Sequence, residues 1–279
     1  MLSREKVNKI SLYVGMIVLC IIWLLPIWTS TLISFKTETD YATQQFWQPP
    51  SKIAFIDNLM YAWKSAKLGT YFTNSLLYAF VGSLGAIFVA SLAGYSLSML
   101  RPKGGFFLFF LIFSGTIFPF QMYLIPLFHM YMNVKLYDTH LGLSLFYIAI
   151  CTPFCLLIFR NYFSTIPEEI YEAARLDGCS NLGVYWRVFL PLSIPAISIL
   201  LLFQFTWVWN DLLFGLVLSR SPEVRPVMVG LSQLQGYYAG VKVPGLMAGA
   251  IIASIPTILL FVILQRYFIR GLRLHIAGE

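Results

Sequence analysis

The sequence predicts an all-α integral membrane protein with six transmembrane helices and a cytoplasmic helix-turn-helix between the fourth and the fifth. Three observations predict it. Of the 279 residues, 58% are hydrophobic and 11% charged, whereas soluble domains carry roughly 25% charged residues. Apolar runs near the length a bilayer demands, about 20 residues per helix, occur at 11–33, 72–99, 106–130, 141–159, 194–218 and 246–268. One polar insert, PEEIYEAARLDGCSNLGVYWRVFLP at 167–191, separates the fourth run from the fifth.

The first run follows Arg4, Lys6 and Lys9. Its apolar stretch exceeds the roughly 7–15 residues of a signal-peptide core and no A-x-A-like site follows, so it is expected to be retained as an anchor. Residues 34–70 form the longest outer loop, with Trp47, Pro49-Pro50, Trp63 and several lysines. That composition predicts a packed cap and a surface for a partner. The second run ends at a short basic turn, Arg101-Pro102-Lys103, and the sixth ends in Arg266, Arg270 and Arg273. Basic residues beside span ends mark the cytoplasmic side, so both termini are expected inside, and the net charge of +7 reflects orientation and not nucleic-acid binding. Pro26, Pro119, Pro126, Pro153 and Pro256 lie within the runs, as membrane helices tolerate when neighbours re-satisfy the backbone. Gly245 and Gly249 open the sixth run with a G-x-x-x-G spacing that lets helices approach closely.

Chemistry of other kinds is missing from the pattern. Cys20, Cys151, Cys155 and Cys179 avoid the outer loops, which argues against structural disulfides, and Cys151 and Cys155 read as buried small residues. His129, His140 and His275 are scattered, and there is neither a nucleotide-binding G-x-x-x-x-G-K-[ST] nor H-E-x-x-H. No catalytic residue, metal site or bound cofactor is expected in this chain. If ATP drives it, another chain must bind the ATP.

In the insert, Thr165-Ile-Pro-Glu168 fits a capping box and predicts a helix from near residue 166. Glu168, Glu169 and Glu172 would complement the positive end of its dipole. Ala173 and Ala174 leave room for another surface, Asp177-Gly178 marks a stop, and Ser180 caps a second helix that ends before Pro191. Charges alone leave open whether this is an interface or a solvated loop.

In the fifth run, Gln204, Trp207, Asp211 and Gly215 share one narrow arc of a continuous helix. An intramembrane aspartate costs on the order of 2.5–3.5 kcal/mol on insertion scales, so it faces a bundle interior or a watery cavity. Contact with a solute and helix-to-helix hydrogen bonding both satisfy that requirement.

Glu172-Ala173-Ala174, then Gly178, then Val188-Phe189-Leu190-Pro191 resembles the EAA loop of permease subunits of ATP-binding-cassette importers. Asn74-Ser75-Leu76, Ala93-Gly94-Tyr95, Pro119-Phe120-Gln121, Ile125-Pro126-Leu127, Trp209-Asn210-Asp211, Gln265-Arg266-Tyr267-Phe268 and Arg270-Gly271-Leu272 look like the carbohydrate-uptake branch, closest to the smaller permease of maltose-type systems. The tail Arg273-Leu274-His275-Ile276 departs from that pattern, and no role is carried onto it. The resemblance implies one permease domain over 1–279 in a bacterial or archaeal cell membrane, forming half of a sugar pathway with a second permease subunit. It implies two ATPase subunits holding ATP and Mg, an extracytoplasmic solute-binding protein, and no nucleic acid. Glu172, Ala173, Ala174, Asp177, Gly178, Leu190 and Pro191 would be the coupling residues, and Gln204, Trp207, Asn210 and Asp211 the pathway residues. The rivals are the same architecture carrying another small polar solute and an ion-coupled secondary transporter. The latter is expected to show paired half-sequences or further ionisable groups at mid-membrane, where only Asp211 stands.

Overall fold

The computed structural model describes residues 4–65, 67–234 and 242–276. In chain order the α-helices are α1 (Arg4–Phe35), α2 (Glu38–Thr43), α3 (Phe55–Ser65), α4 (Leu68–Tyr95), α5 (Gly105–Ser114), α6 (Leu124–Asn133), α7 (His140–Ser164), α8 (Glu168–Leu176), α9 (Asn181–Val184), α10 (Leu190–Leu192), α11 (Ile194–Trp209), α12 (Leu213–Leu218), α13 (Val227–Gln233) and α14 (Val243–Ile276). Among the described residues four helices are long and apolar enough to cross a membrane: Asn8–Phe35, Leu68–Leu100, His140–Ser164 and Val243–Tyr267. A fifth candidate is the pair Asn181–Leu192 and Ile194–Trp209, bent by 72°.

Two of the expected spans are not continuous helices. In the 106–130 run α5 stops at Ser114, and the chain resumes through a 3-10 turn at Phe120–Tyr123 before α6. Pro119 has no N–H to give and holds the residue before it out of the helical region. The Tyr123 hydroxyl closes the turn by donating to the Phe118 carbonyl at 3.1 Å. The 194–218 run breaks at residues 210–212, where the Asp211 carboxylate accepts the Gly215 N–H at 3.0 Å and starts α12. Aspartate competes with the helix for backbone donors and so favours a cap over a helix interior.

The chain divides into two compact units, Met1–Leu68 with Leu231–Ala253, and Gly69–Gly230 with Ser254–Glu279. In the first, α1 has none of its apolar window buried. The 34–70 segment is packed. Phe55 stacks on Phe35 with centroids 5.0 Å apart, and the Asn58 amide donates to the carbonyls of Ser34 and Lys36. Asp40 gathers the N–H and hydroxyl of Ser51. The G-x-x-x-G pair is tight here: an added Cβ would lie 2.6 Å from Tyr61 at Gly245 and 2.9 Å from Leu231 at Gly249.

The second unit is built on α4, α7 and α11. Small residues line α4 where α7 crosses it, and a Cβ at Gly82 would lie 2.7 Å from Tyr147 and one at Gly94 2.8 Å from Phe159. Tyr78, Tyr147, Phe159, Phe163, Phe205 and Trp209 fill the core, and Cys151 and Cys155 are buried free thiols among them. Polar contacts between distant segments include two at the ends of these helices. One joins Arg101 to Glu168. The other ties Asp138 to the backbone of Arg220 and Ser221 and Asn74 to the carbonyls of Glu223 and Arg225.

Candidate functional site

The insert is a helical finger with a defined hinge. Its start differs from the expected capping box: α8 begins at Glu168 with no side-chain cap, and Thr165 closes α7 instead. The Thr165 hydroxyl donates to the Tyr162 carbonyl at 2.7 Å, and Glu168 pairs with Arg101 at 3.0 Å. The stop falls where expected. Gly178 has φ +84°, its N–H donates to the Arg175 carbonyl at 3.1 Å, and the Cys179 N–H reaches the Ala174 carbonyl at 3.1 Å. These two bonds together are the Schellman closure of a helix end, which requires the left-handed residue that glycine supplies without strain.

Ser180 caps α9, accepting the Gly183 N–H at 3.1 Å. The second helix does not end before Pro191. It continues through a π-helical turn at Tyr185–Phe189 into α10, with Leu190 and Pro191 inside it. Proline is tolerated in the first turn of α10, where its missing N–H costs least. The wider π turn also relieves the carbonyls a proline would otherwise crowd.

The two alanines part company. Ala174 is buried against the second half of the finger, while Glu172, Ala173, Leu176 and Asp177 face outward, Leu176 being 89% exposed. Leu176 is thus an apolar side chain standing in the open beside Glu172 and Asp177. Sequence reading missed Leu176, although its position three residues after Ala173 puts both on one helix face.

The base of the finger is bolted to the long helices. The Tyr185 hydroxyl shares a 2.7 Å hydrogen bond with Ser91 of α4, and the Tyr95 hydroxyl of α4 donates to the Asn181 carbonyl at 2.8 Å. Tyr162 of α7 donates to the Leu192 carbonyl at 2.7 Å. Tyr95, Phe163 and Phe189 form an edge-to-face cluster with centroids 5.0–6.4 Å apart. The ring cluster and these hydrogen bonds join the finger to α4 and α7, and packed interiors deform little. These partners lie up to 94 residues apart, and no local pattern announces them.

The pathway candidates meet at two adjoining cavities. The larger, about 890 Å³, is lined by Phe120, Phe203, Thr206, Trp207, Asn210 and Asp211 among others, with Thr257, Ile258 and Phe261 of α14. The second, about 580 Å³, includes Phe120, Tyr123, Phe154, Phe203, Gln204 and Trp207. Trp207 belongs to both, and Phe120 stands edge-on to it at 5.8 Å. Gln204 is buried and hydrogen-bonds the Cys155 thiol. Asn210 is exposed, its amide donating to the Thr206 carbonyl at 2.9 Å.

Because the helix breaks, Asp211 and Gly215 do not continue the arc of Gln204 and Trp207 as the continuous-helix expectation had them. Asp211 still lines the cavity, but its carboxylate is occupied. It accepts the Tyr147 hydroxyl at 2.9 Å and the Gly215 N–H at 3.0 Å, with a longer 3.4 Å contact from Phe214 N–H. Among the described residues no group of three or more His, Cys, Asp and Glu side chains comes together to hold a metal.

A membrane-embedded helical unit, with a cavity in its wall and a rigid finger anchored to the helices that frame it, is the anatomy of a transport component. The chain belongs to the family described as binding-protein-dependent transport system inner membrane component, whose model matches residues 12–274. It is 34% identical to the osmoprotective compounds uptake permease protein GgtD of Synechocystis sp., over 97% of this chain and 92% of that protein. It is 31% identical to the arabinooligosaccharides transport system permease protein AraQ of Halalkalibacterium halodurans, over 94% of this chain and 93% of that one. In fold it is similar to a chain from the crystal structure of a bacterial ABC transporter involved in the import of the acidic polysaccharide alginate, with a TM-score of 0.83 and 24% identity, covering 96% of this chain and 99% of that chain.

Proposed function

We propose that this chain is the membrane-spanning subunit of an ATP-driven sugar importer, one permease domain over 1–279 that supplies half of the translocation pathway beside a second permease subunit. In this reading ATP and Mg sit on two separate ATPase subunits, and an extracytoplasmic solute-binding protein delivers the cargo. The single observation that carries it is the finger: an exposed acidic helix with a projecting Leu176, closed at Gly178 and bolted through Tyr185, Tyr95 and Phe189 to α4 and α7. Glu172, Ala173, Leu176 and Asp177 would seat in the ATPase. Gly178 would set the angle between the two finger helices, and Leu190 and Pro191 would lead the movement into α11. Closure of the ATPase pair would then tip the membrane helices between two packed arrangements, opening the pathway to one side or the other.

In the cavity, Trp207, Phe120 and Phe203 offer rings to the apolar faces of a sugar, and Asn210 and Thr206 offer polar groups to its hydroxyl rim. Gln204 stands deeper, at the second cavity, and Asp211 shapes the wall through Tyr147. The polypeptide would cross the membrane six times with both termini cytoplasmic, two of the crossings being the broken ones at α5–α6 and α11–α12. The relatives' names include arabinooligosaccharides and osmoprotective compounds; the latter favours a second reading in which the cargo is another small polar solute.

The test is reconstitution of the complete complex in proteoliposomes with solute-binding protein and a panel of sugars and small polar osmolytes. ATP hydrolysis and uptake should both rise with one loaded binding protein. Uptake driven by an ion gradient without ATP would instead identify a secondary transporter. Cysteines placed at Ser3 and Lys52 should label from opposite sides of the membrane, and labelling of both from outside would overturn the topology.

A further inference from the structure

The outer helix α3 has one face engaged and one face bare. On the engaged face, Asn58 holds the carbonyls at the end of α1, Ala62 is buried, and Tyr61 lies beneath the Lys242 ammonium at 4.8 Å. On the bare face Ile56, Met60 and Trp63 are 66%, 46% and 44% exposed. Their spacing of four and three residues puts them on a single stripe. Asp57 and Lys64, both exposed, lie along one edge of it.

We propose that this stripe is a membrane-surface anchor, lying in the headgroup region of the outer leaflet with the bilayer as its occupant. The first argument is continuity. Residues 8–28 of α1 are all exposed, so lipid is their expected surrounding. Phe55, the first residue of α3, is stacked on Phe35, the last residue of α1. The stripe therefore starts beside the end of the helix whose preceding surface, residues 8–28, is bare. The second argument is chemistry. An interfacial helix sets apolar side chains and an aromatic ring toward the acyl boundary and charge toward water, and tryptophan is favoured at that depth. Lys52, Lys64 and Lys67, all exposed, are placed nearby to meet lipid phosphates. The inference rests on reading α1 as a membrane passage and is independent of the cargo and of the ATPase.

The test is site-directed spin labelling of the assembled complex in lipid nanodiscs, with Cys20 and Cys179 replaced by serine and nitroxides at Ile56→Cys, Met60→Cys, Asp57→Cys and, as reference, Ile17→Cys on α1. The measurement is the ratio of collisions with oxygen, which concentrates in lipid, to collisions with a water-soluble nickel chelate. At Ile56 and Met60 the ratio should be several-fold higher than at Asp57 and stay below that at Ile17, as a site at the headgroup boundary requires. If Ile17 reads as lipid while nickel reaches Met60 as freely as Asp57, the stripe faces water and the proposal fails. If both reagents are excluded at Met60, a protein chain such as the second permease or the solute-binding protein covers it, and the proposal fails equally. Water-like values at Ile17 itself would overturn the underlying reading of α1.

Discussion

Replacing Gly178 tests whether the angle of the finger matters apart from its surface. The residue sits at φ +84°, and a side chain in the left-handed region costs roughly 1–2 kcal/mol. Within this chain an added Cβ at 178 meets nothing within 4 Å, so backbone strain is the cost the structure shows. As an equilibrium it removes a factor of roughly 5–30 from the fraction of chains that hold α8 and α9 at their native angle. Gly178→Val should show the full effect, with its branched side chain least suited to positive φ, while Gly178→Asn should recover most of the loss because asparagine enters that region readily. The assay is retention of ATPase subunits on the purified membrane complex, together with uptake in proteoliposomes. Valine should lower both, asparagine neither by much, and the long membrane helices should stay folded in both variants. Wild-type retention and uptake with valine would refute the importance of the angle. Equal damage from asparagine and valine would show that bulk against the partner, and not backbone strain, is responsible.

Glu172→Lys reverses an outward charge on α8 and should weaken ATPase retention, most strongly at low salt because exposed charges are screened at high salt. Tyr185→Phe removes the 2.7 Å bond to Ser91 and should cost about 0.5–1.5 kcal/mol; ATPase retention should survive while uptake per ATP falls, and the double variant with Ser91→Ala should be less than additive. Asp211→Leu strips the buried Tyr147 hydroxyl and the Gly215 N–H of their acceptor, about 1–3 kcal/mol for each group left unsatisfied. Its thermal unfolding in detergent should therefore drop along with uptake, whereas Asp211→Asn, which keeps an acceptor, should retain most of the stability. At Asp138, burial alone would raise the carboxyl, but the N–H groups of Arg220 and Ser221, the Ser221 hydroxyl and the Arg225 charge outweigh it and hold it below its ordinary 3.8. A depressed carboxyl stabilises the fold above its unfolded value and loses that contribution as pH falls through the folded one. Asp138→Asn should thus be less stable than wild type at neutral pH, and the gap should close below about pH 4.

Features decided by neighbouring residues were legible in the sequence. Asp177-Gly178 and Ser180 were read correctly because a helix stop and a cap are made within a few residues. Thr165 shows the limit of the same logic. Its hydroxyl had a carbonyl of the preceding helix in reach at Tyr162, so a residue coded to begin one helix ended another, and the glutamate expected to complete the box was drawn to Arg101, 67 residues away. Hydropathy located the apolar runs without revealing their continuity. Pro119 and Asp211 each interrupt a run whose average apolarity they barely change. The bond from Ser91 to Tyr185 and the ring cluster around Tyr95 join distant segments, and apolar periodicity alone does not pair them. The pathway candidates line two cavities, but whether Asp211 would meet a solute or a neighbouring helix stayed open in the sequence, because its partner Tyr147 on α7 lies 64 residues away.

The bareness of Leu176 has a consequence for the cell's supply of this protein. Synthesised alone, the chain would carry a greasy tip standing 89% clear of its own fold, the kind of feature that chaperones and quality-control proteases engage. In the proposed complex the ATPase subunit would cover it. Production in excess of the subunit that covers the tip should therefore be self-limiting, with surplus copies cleared while assembled ones persist. The finger would then serve as a receipt for stoichiometry, and substituting serine for Leu176 should lengthen the lifetime of unpartnered copies even as it weakens their ability to find a mate.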